Sequence, residues 1–134
     1  MNLNAAERRS KIVFGVDDEA DNLLLLTSLV EGAGFTFIGL PNGAECVTLA
    51  TRVQPRLILL DIQMFPGMDG FATCRRLRQY PQLKPVPIVF LTARKSGDDV
   101  KECLKAGGND FIVKPFDPIK LIERVEFWVG RRLS

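Results

Sequence analysis

The sequence predicts a single doubly wound α/β domain: a five-stranded parallel sheet with helices on both faces. Three observations predict it. Short β-rich apolar runs alternate with segments of helical period along the 134 residues, joined by short connections. The run Leu57 to Leu60 is uninterrupted by polar residues, as in a strand buried on both faces of a parallel sheet. Each of four runs ends on a polar or charged residue, the edge where such sheets bind ligands.

Taken in order, Lys11 to Val16 forms the first strand and runs into Asp17-Asp18-Glu19. Asp21 or Asn22 would cap a helix through Leu23 to Glu31, which Gly32 and Gly34 stop. Phe35 to Leu40 is the second strand, and Pro41-Asn42-Gly43 turns the chain. A helix from Ala44 to Val53 buries Cys46, Val47, Leu49, Ala50 and Val53. It ends at Gln54-Pro55, because a residue before proline is pushed out of the helical region. The third strand, Leu57 to Leu60, delivers Asp61 to a Pro-Gly turn. A helix from Asp69 to about Tyr80 follows, with Phe71, Cys74 and Leu77 inward.

Pro81, Pro85 and Pro87 mark a loop into the fourth strand, Ile88 to Leu91, which closes on Thr92-Ala93. Ser96 with Asp99 reads as a capping box for a helix that ends at Ala106-Gly107-Gly108, with Val100 and Leu104 committed to the core. Asp110 to Val113 is the fifth strand, ending at Lys114-Pro115. Asp117 and Pro118 are the N-cap and first residue of a last helix that buries Ile119, Ile122, Val125 and Val129. Right-handed crossovers and a flavodoxin-like order of 2-1-3-4-5 put the first and third strands side by side at the switch point. The domain spans 11–131, between a polar extension at 1–10 and a tail at 132–134.

Bulk properties narrow the function. Eighteen basic and sixteen acidic residues leave a formal charge of +2, too little to argue for nucleic acid or a membrane surface. No apolar run reaches the roughly 18 residues of a membrane span, and Met1 to Ser10 lacks the apolar core of a signal peptide. A cytoplasmic location is expected. Histidine is absent, which excludes Ser-His and Cys-His catalysis and any phosphohistidine step within the chain. The three cysteines, Cys46, Cys74 and Cys103, are far apart, form no Cys-x-x-Cys pair, and read as small buried hydrophobes.

Asp17 and Asp18 after the first strand, Asp61 after the third, Thr92 after the fourth and Lys114 after the fifth all reach one edge. Singly, each has an ordinary reading as helix cap, turn residue or solvated charge. Together, three carboxylates in one pocket call for a cation, and hard oxygen ligands suit Mg²⁺. A lysine and a hydroxyl beside them make a cradle for phosphoryl oxygens.

The acidic pair Asp17-Asp18, the Leu57-to-Met64 lead around Asp61, Met68-Asp69-Gly70, Leu91-Thr92-Ala93 and Asp110 to Phe116 resemble the receiver domain of two-component response regulators. The likeness covers about Lys11 to Arg131. It implies that Asp61 is a phosphoacceptor, that Asp17 or Asp18 with Asp61 and the Gln63 carbonyl holds Mg²⁺, and that Thr92 and Lys114 bind the phosphoryl group. It also implies that Phe111 is the switch aromatic, that Lys114-Pro115 is a cis peptide, and that Gln63 and Arg94 tune self-dephosphorylation. A regulatory domain is expected, not an enzyme in the ordinary sense. Its donor would be a sensor histidine kinase or a histidine phosphotransfer protein, and its target an output domain or protein. No direct contact with nucleic acid or membrane is expected. A monomer or weak homodimer fits, either as a stand-alone receiver or as a piece of a longer regulator or hybrid kinase.

The chain departs from the family pattern where Phe65 stands between Met64 and Pro66, one residue more than the loop usually has. The extra residue either bulges outward or shifts the Gln63 carbonyl and weakens the metal site. Gly108, where the family often has Ala, implies no more than a looser helix end. Two competing readings remain. A degenerate receiver would act only as a binding scaffold. A haloacid-dehalogenase-type phosphatase also uses a strand-end Asp, but needs a second Asp where Gln63 stands.

Overall fold

Five parallel strands lie in the order 2-1-3-4-5 in the computed structural model, which describes residues 11–93, 97–131 and 133. They are β1 (Ile12–Val16), β2 (Thr36–Leu40), β3 (Leu57–Asp61), β4 (Ile88–Thr92) and β5 (Asp110–Val113). The crossovers carry α1 (Ala20–Gly32), α2 (Gly43–Val53), α3 (Gly70–Arg78) and α4 (Gly97–Lys105), and α5 (Pro118–Val129) closes the fold. A 3₁₀ turn, Pro81–Leu83, precedes β4 where the sequence indicated only a loop.

The alternation of β3 explains why its apolar run is continuous. Leu57 and Leu59 face the layer that contains Leu26, Val30, Leu121 and Val125 of α1 and α5. Ile58 and Leu60 face the opposite layer, with Cys46 and Ala50 of α2, Cys74 and Leu77 of α3, and Cys103 and Ala106 near the end of α4. Both faces of the strand are covered, so every position selects for an apolar residue. The three cysteines are free and buried. Burial pushes the Cys46 thiol up to about 12, and the Cys74 and Cys103 thiols to about 11. They stay protonated at neutral pH and act as apolar filler.

Capping residues fix most of the helix starts. Asn42 Oδ1 accepts the Glu45 N–H, Asp69 Oδ1 accepts the Ala72 N–H, and Asp117 accepts those of Ile119 and Lys120. Gln54, before Pro55, leaves α2 in the left-handed region at φ 54°.

Four expectations are corrected. Asp21 and Asn22 lie inside α1, whose N-cap is Glu19 without a side-chain capping bond. The acidic run lets the helix begin earlier because Asp17 Oδ1 accepts the Glu19 N–H at 3.0 Å. In α5 the buried residues are Leu121 and Val125, whereas Ile119 is 72% exposed. That helix is apolar on more than one stripe, and the sheet orientation selects the stripe four residues before Val125. In α4 Leu104 is 61% exposed, while Cys103 and nearby Ala106 face the core. Gly108, finally, is a close-packing residue: a Cβ there would come within 2.4 Å of the Phe90 ring. The large aromatic in β4 needs the space an alanine would take. The proposed capping residue Ser96, and Arg94, fall outside the described residues.

Candidate functional site

The site forms where β1, β3, β4 and β5 end together. Parallel pairing sets Val16 beside Leu60, Asp61 beside Leu91, and Thr92 beside Val113. The residues after these positions therefore project from one edge. The Lys114 N–H donates to the Thr92 carbonyl at 2.7 Å, continuing the ladder one step past β5. The Lys114-Pro115 peptide is cis, as the resemblance implied.

Carboxylate oxygens of Asp17, Asp18 and Asp61 all lie within 4.8 Å of one another. Asp17 is fully buried and Asp61 is 6% exposed, whereas Asp18 is on the surface. Lys114 Nζ donates to Asp17 Oδ2 and Asp61 Oδ1, each at 3.0 Å. Asp17 is held further by the Glu19 N–H at 3.0 Å and by Asn22 Nδ2 at 3.1 Å. Asn22, expected as a helix cap, is thus a support of the acidic cluster. No pattern in the sequence shows this, since the contact depends on α1 starting beside Asp17.

Asp61 is pushed up to about 6 from the usual 3.8. Burial is the largest cause; the hydrogen bond from Lys114 opposes it, and the charges of Asp17 and Asp18 reinforce it. For Lys114, burial disfavours the ammonium, but the hydrogen bonds and charges of Asp17 and Asp61 outweigh it and raise its pKa. One lysine does not neutralise three carboxylates. The donor set of close, hard oxygens fits a divalent cation such as Mg²⁺.

The loop after Asp61 is folded back on its base by the Gly70 N–H, which donates to the Ile62 carbonyl at 2.7 Å. Gly70 is required there, because a Cβ would lie 2.2 Å from the Asp61 carbonyl oxygen. Met64 is buried in the core, Gly67 turns the chain at φ 99°, and the Phe65-Pro66 peptide is cis. Phe65 is 82% exposed. The ring of the extra residue therefore faces solvent. The Phe65 N–H donates to Asp18 Oδ2 at 3.1 Å, a contact the sequence does not disclose.

A cleft of about 940 Å³ opens over the cluster, lined by residues that include Asn22, Asp61, Gln63, Phe65, Asp69, Thr92 and Lys114. Thr92 is 5% exposed at the end of β4. Phe111 is half-buried and packs against the core on the α2–α4 side.

Comparison with known proteins completes the picture. The family described as response regulator receiver domain matches residues 13–126. The chain belongs to that family. The receiver is 41% identical over 110 residues to the DNA-binding response regulator MtrA of Mycobacterium tuberculosis, an alignment that covers 82% of this chain and 46% of MtrA. It therefore spans about half the length of that relative. Among solved structures, a putative response regulator from Chloroflexus aurantiacus superposes with a TM-score of 0.85 at 31% identity, covering 90% of this receiver and 98% of that chain. The receiver domain of sensor histidine kinase PA1611 from Pseudomonas aeruginosa, with a magnesium ion in its active site cleft, has a TM-score of 0.83 at 29% identity, with 90% and 98% covered. No helix among the described residues is long and apolar enough to cross a membrane.

Proposed function

We propose that this receiver accepts a phosphoryl group on Asp61 from a phosphohistidine of a sensor histidine kinase or histidine phosphotransfer protein, and passes the signal to an output domain or protein. The observation that carries the reading is the convergence of Lys114 on Asp17 and Asp61, at 3.0 Å each, within a cluster of three carboxylates.

An Asp61 carboxylate oxygen attacks phosphorus in line, the P–N bond breaks, and the imidazole nitrogen leaves with the bonding pair. None of these 134 residues is a histidine, which fits a donor outside them. Asp17, Asp18, Asp61 and the Gln63 carbonyl would hold Mg²⁺. The ion, when bound, supplies charge neutralisation to the transferring group. Lys114 pairs with a phosphoryl oxygen, and the Thr92 hydroxyl donates to another. The aspartyl phosphate adds roughly one further negative charge to the site. Movement of Thr92 towards it would let Phe111 turn inward and remodel the face formed by α4, β5 and α5. A coupling of about 1–3 kcal/mol is enough for such a switch. MtrA is named as DNA-binding; for this chain, contact with DNA would belong to an output partner, and the receiver itself stays regulatory and cytoplasmic.

Incubation with Mg²⁺ and acetyl phosphate, followed by intact-mass measurement, tests the reading. The expected result is one phosphoryl adduct per chain. Steady release of phosphate from phosphate esters without an adduct would instead support a phosphatase. Neither an adduct nor Mg²⁺ binding would leave a binding scaffold.

A further inference from the structure

The three carboxylates are not held equally. Asp17 has three hydrogen-bond donors, from Glu19, Asn22 and Lys114, and is fully buried. Asp61 is buried and pinned by Lys114. Asp18 is exposed, and among the described residues its carboxylate takes a hydrogen bond from the Phe65 N–H alone. An exposed aspartate beside two other carboxylates is repelled by both and free to rotate into solvent. Something must hold it in the cluster.

The loop supplies that hold. Its base is closed by the Gly70 N–H to the Ile62 carbonyl at 2.7 Å, and Met64 is 2% exposed, an apolar peg next to Phe65. With Met64 inward and the Phe65 ring 82% exposed, the backbone between them offers its N–H to Asp18. Phe65 is the residue by which this loop exceeds the usual length, and the ring plays no part in the contact.

We infer that the backbone N–H of Phe65 is a positioning donor for the metal site, holding the Asp18 carboxylate within reach of the divalent cation that Asp17 and Asp61 share. The inference rests on the metal reading above. A donor of this kind acts on affinity by orienting a ligand, an effect commonly worth about ten- to a hundredfold. Phe65 would act on the ion through Asp18, as a positioning residue.

Two substitutions separate backbone from ring. Phe65→Ala keeps the N–H, and Phe65→Pro removes it. Calorimetric Mg²⁺ titration should give an affinity within about twofold of wild type for Phe65→Ala and a loss of about tenfold for Phe65→Pro. Equal affinities in the Pro variant and wild type, or an equal loss in both variants, would overturn the inference. A wild-type protein that binds no Mg²⁺ would overturn the metal reading itself. Hydrogen exchange of the Phe65 amide in the metal-free protein decides the matter even if the Pro variant does not fold. We expect protection in wild type that falls at least about tenfold in Asp18→Ala; an amide exchanging at the unprotected rate in wild type would refute the contact.

Discussion

An Asp61→Asn variant should take up no phosphoryl group from acetyl phosphate and should also be more stable than the metal-free wild type. The two effects have one origin. A carboxylate is the nucleophile the transfer needs, and burying it without a cation is what raises its pKa to about 6. A carboxyl with a folded pKa above its unfolded value makes the native state the better proton binder. Its favourable contribution is present below about pH 4 and is lost as pH rises through about 6. At pH 7 the ionised Asp61 therefore costs stability, and a neutral isostere removes that cost.

Lys114 loses one of its two carboxylate partners in the variant, which offsets part of the gain. A net increase of about 1–2 kcal/mol, or roughly 3–8 °C in Tm, is expected at pH 7. Thermal melts of both proteins without metal, from pH 4 to pH 8, check it: the difference should be small near pH 4 and grow to a plateau above pH 6.5. A difference that shrinks with rising pH would contradict the electrostatics of the site.

The second large effect lies far from the cluster. Arg78, at the end of α3, spends its guanidinium on uncharged acceptors. Nε donates to the Gly107 carbonyl at 2.9 Å, Nη1 to the carbonyls of Leu83 at 3.0 Å and Val86 at 2.8 Å, and Nη2 to Asn109 Oδ1 at 2.9 Å. Asn109 Oδ1 also accepts the Ile88 N–H at 2.8 Å. One side chain thus joins the end of α3, the 3₁₀ turn, the start of β4 and the turn after α4. Burial lowers its pKa from the usual guanidinium value.

Arg78→Met keeps much of the apolar stem but strips three carbonyls and an amide oxygen of a charged donor. At about 1–3 kcal/mol for each acceptor left dry, with water recovering some of them, the loss should reach about 3–5 kcal/mol. That is a large share of the 5–15 kcal/mol typical of a domain. Urea unfolding measures it, and Arg78→Lys should recover only part, since an ammonium cannot reach both directions of the fork. A loss under 1 kcal/mol would mean that solvent satisfies these carbonyls as well as Arg78 does.

Much of the candidate site was legible in the chain itself. Asp17, Asp18, Asp61, Thr92 and Lys114 each follow an apolar run, and five parallel runs of similar length must end at a common edge. The order of elements, the strand buried on both faces, and the capping role of Asp117 rest on hydrophobic period and turn chemistry. These act over a few residues and survive in any one sequence.

What the tertiary structure alone decided is which of several local options the rest of the molecule selects. α5 carries apolar residues on more than one stripe, and only its seat on the sheet buries Leu121 and leaves Ile119 in solvent. Gly108 is small because Phe90, from β4, fills the space beside it. The Phe65 N–H meets Asp18 across 47 residues, and Arg78 meets Gly107 across 29. Such contacts leave no period or motif in the sequence, because backbone donors and acceptors are the same at every residue. Only the path of the chain brings them within hydrogen-bond distance.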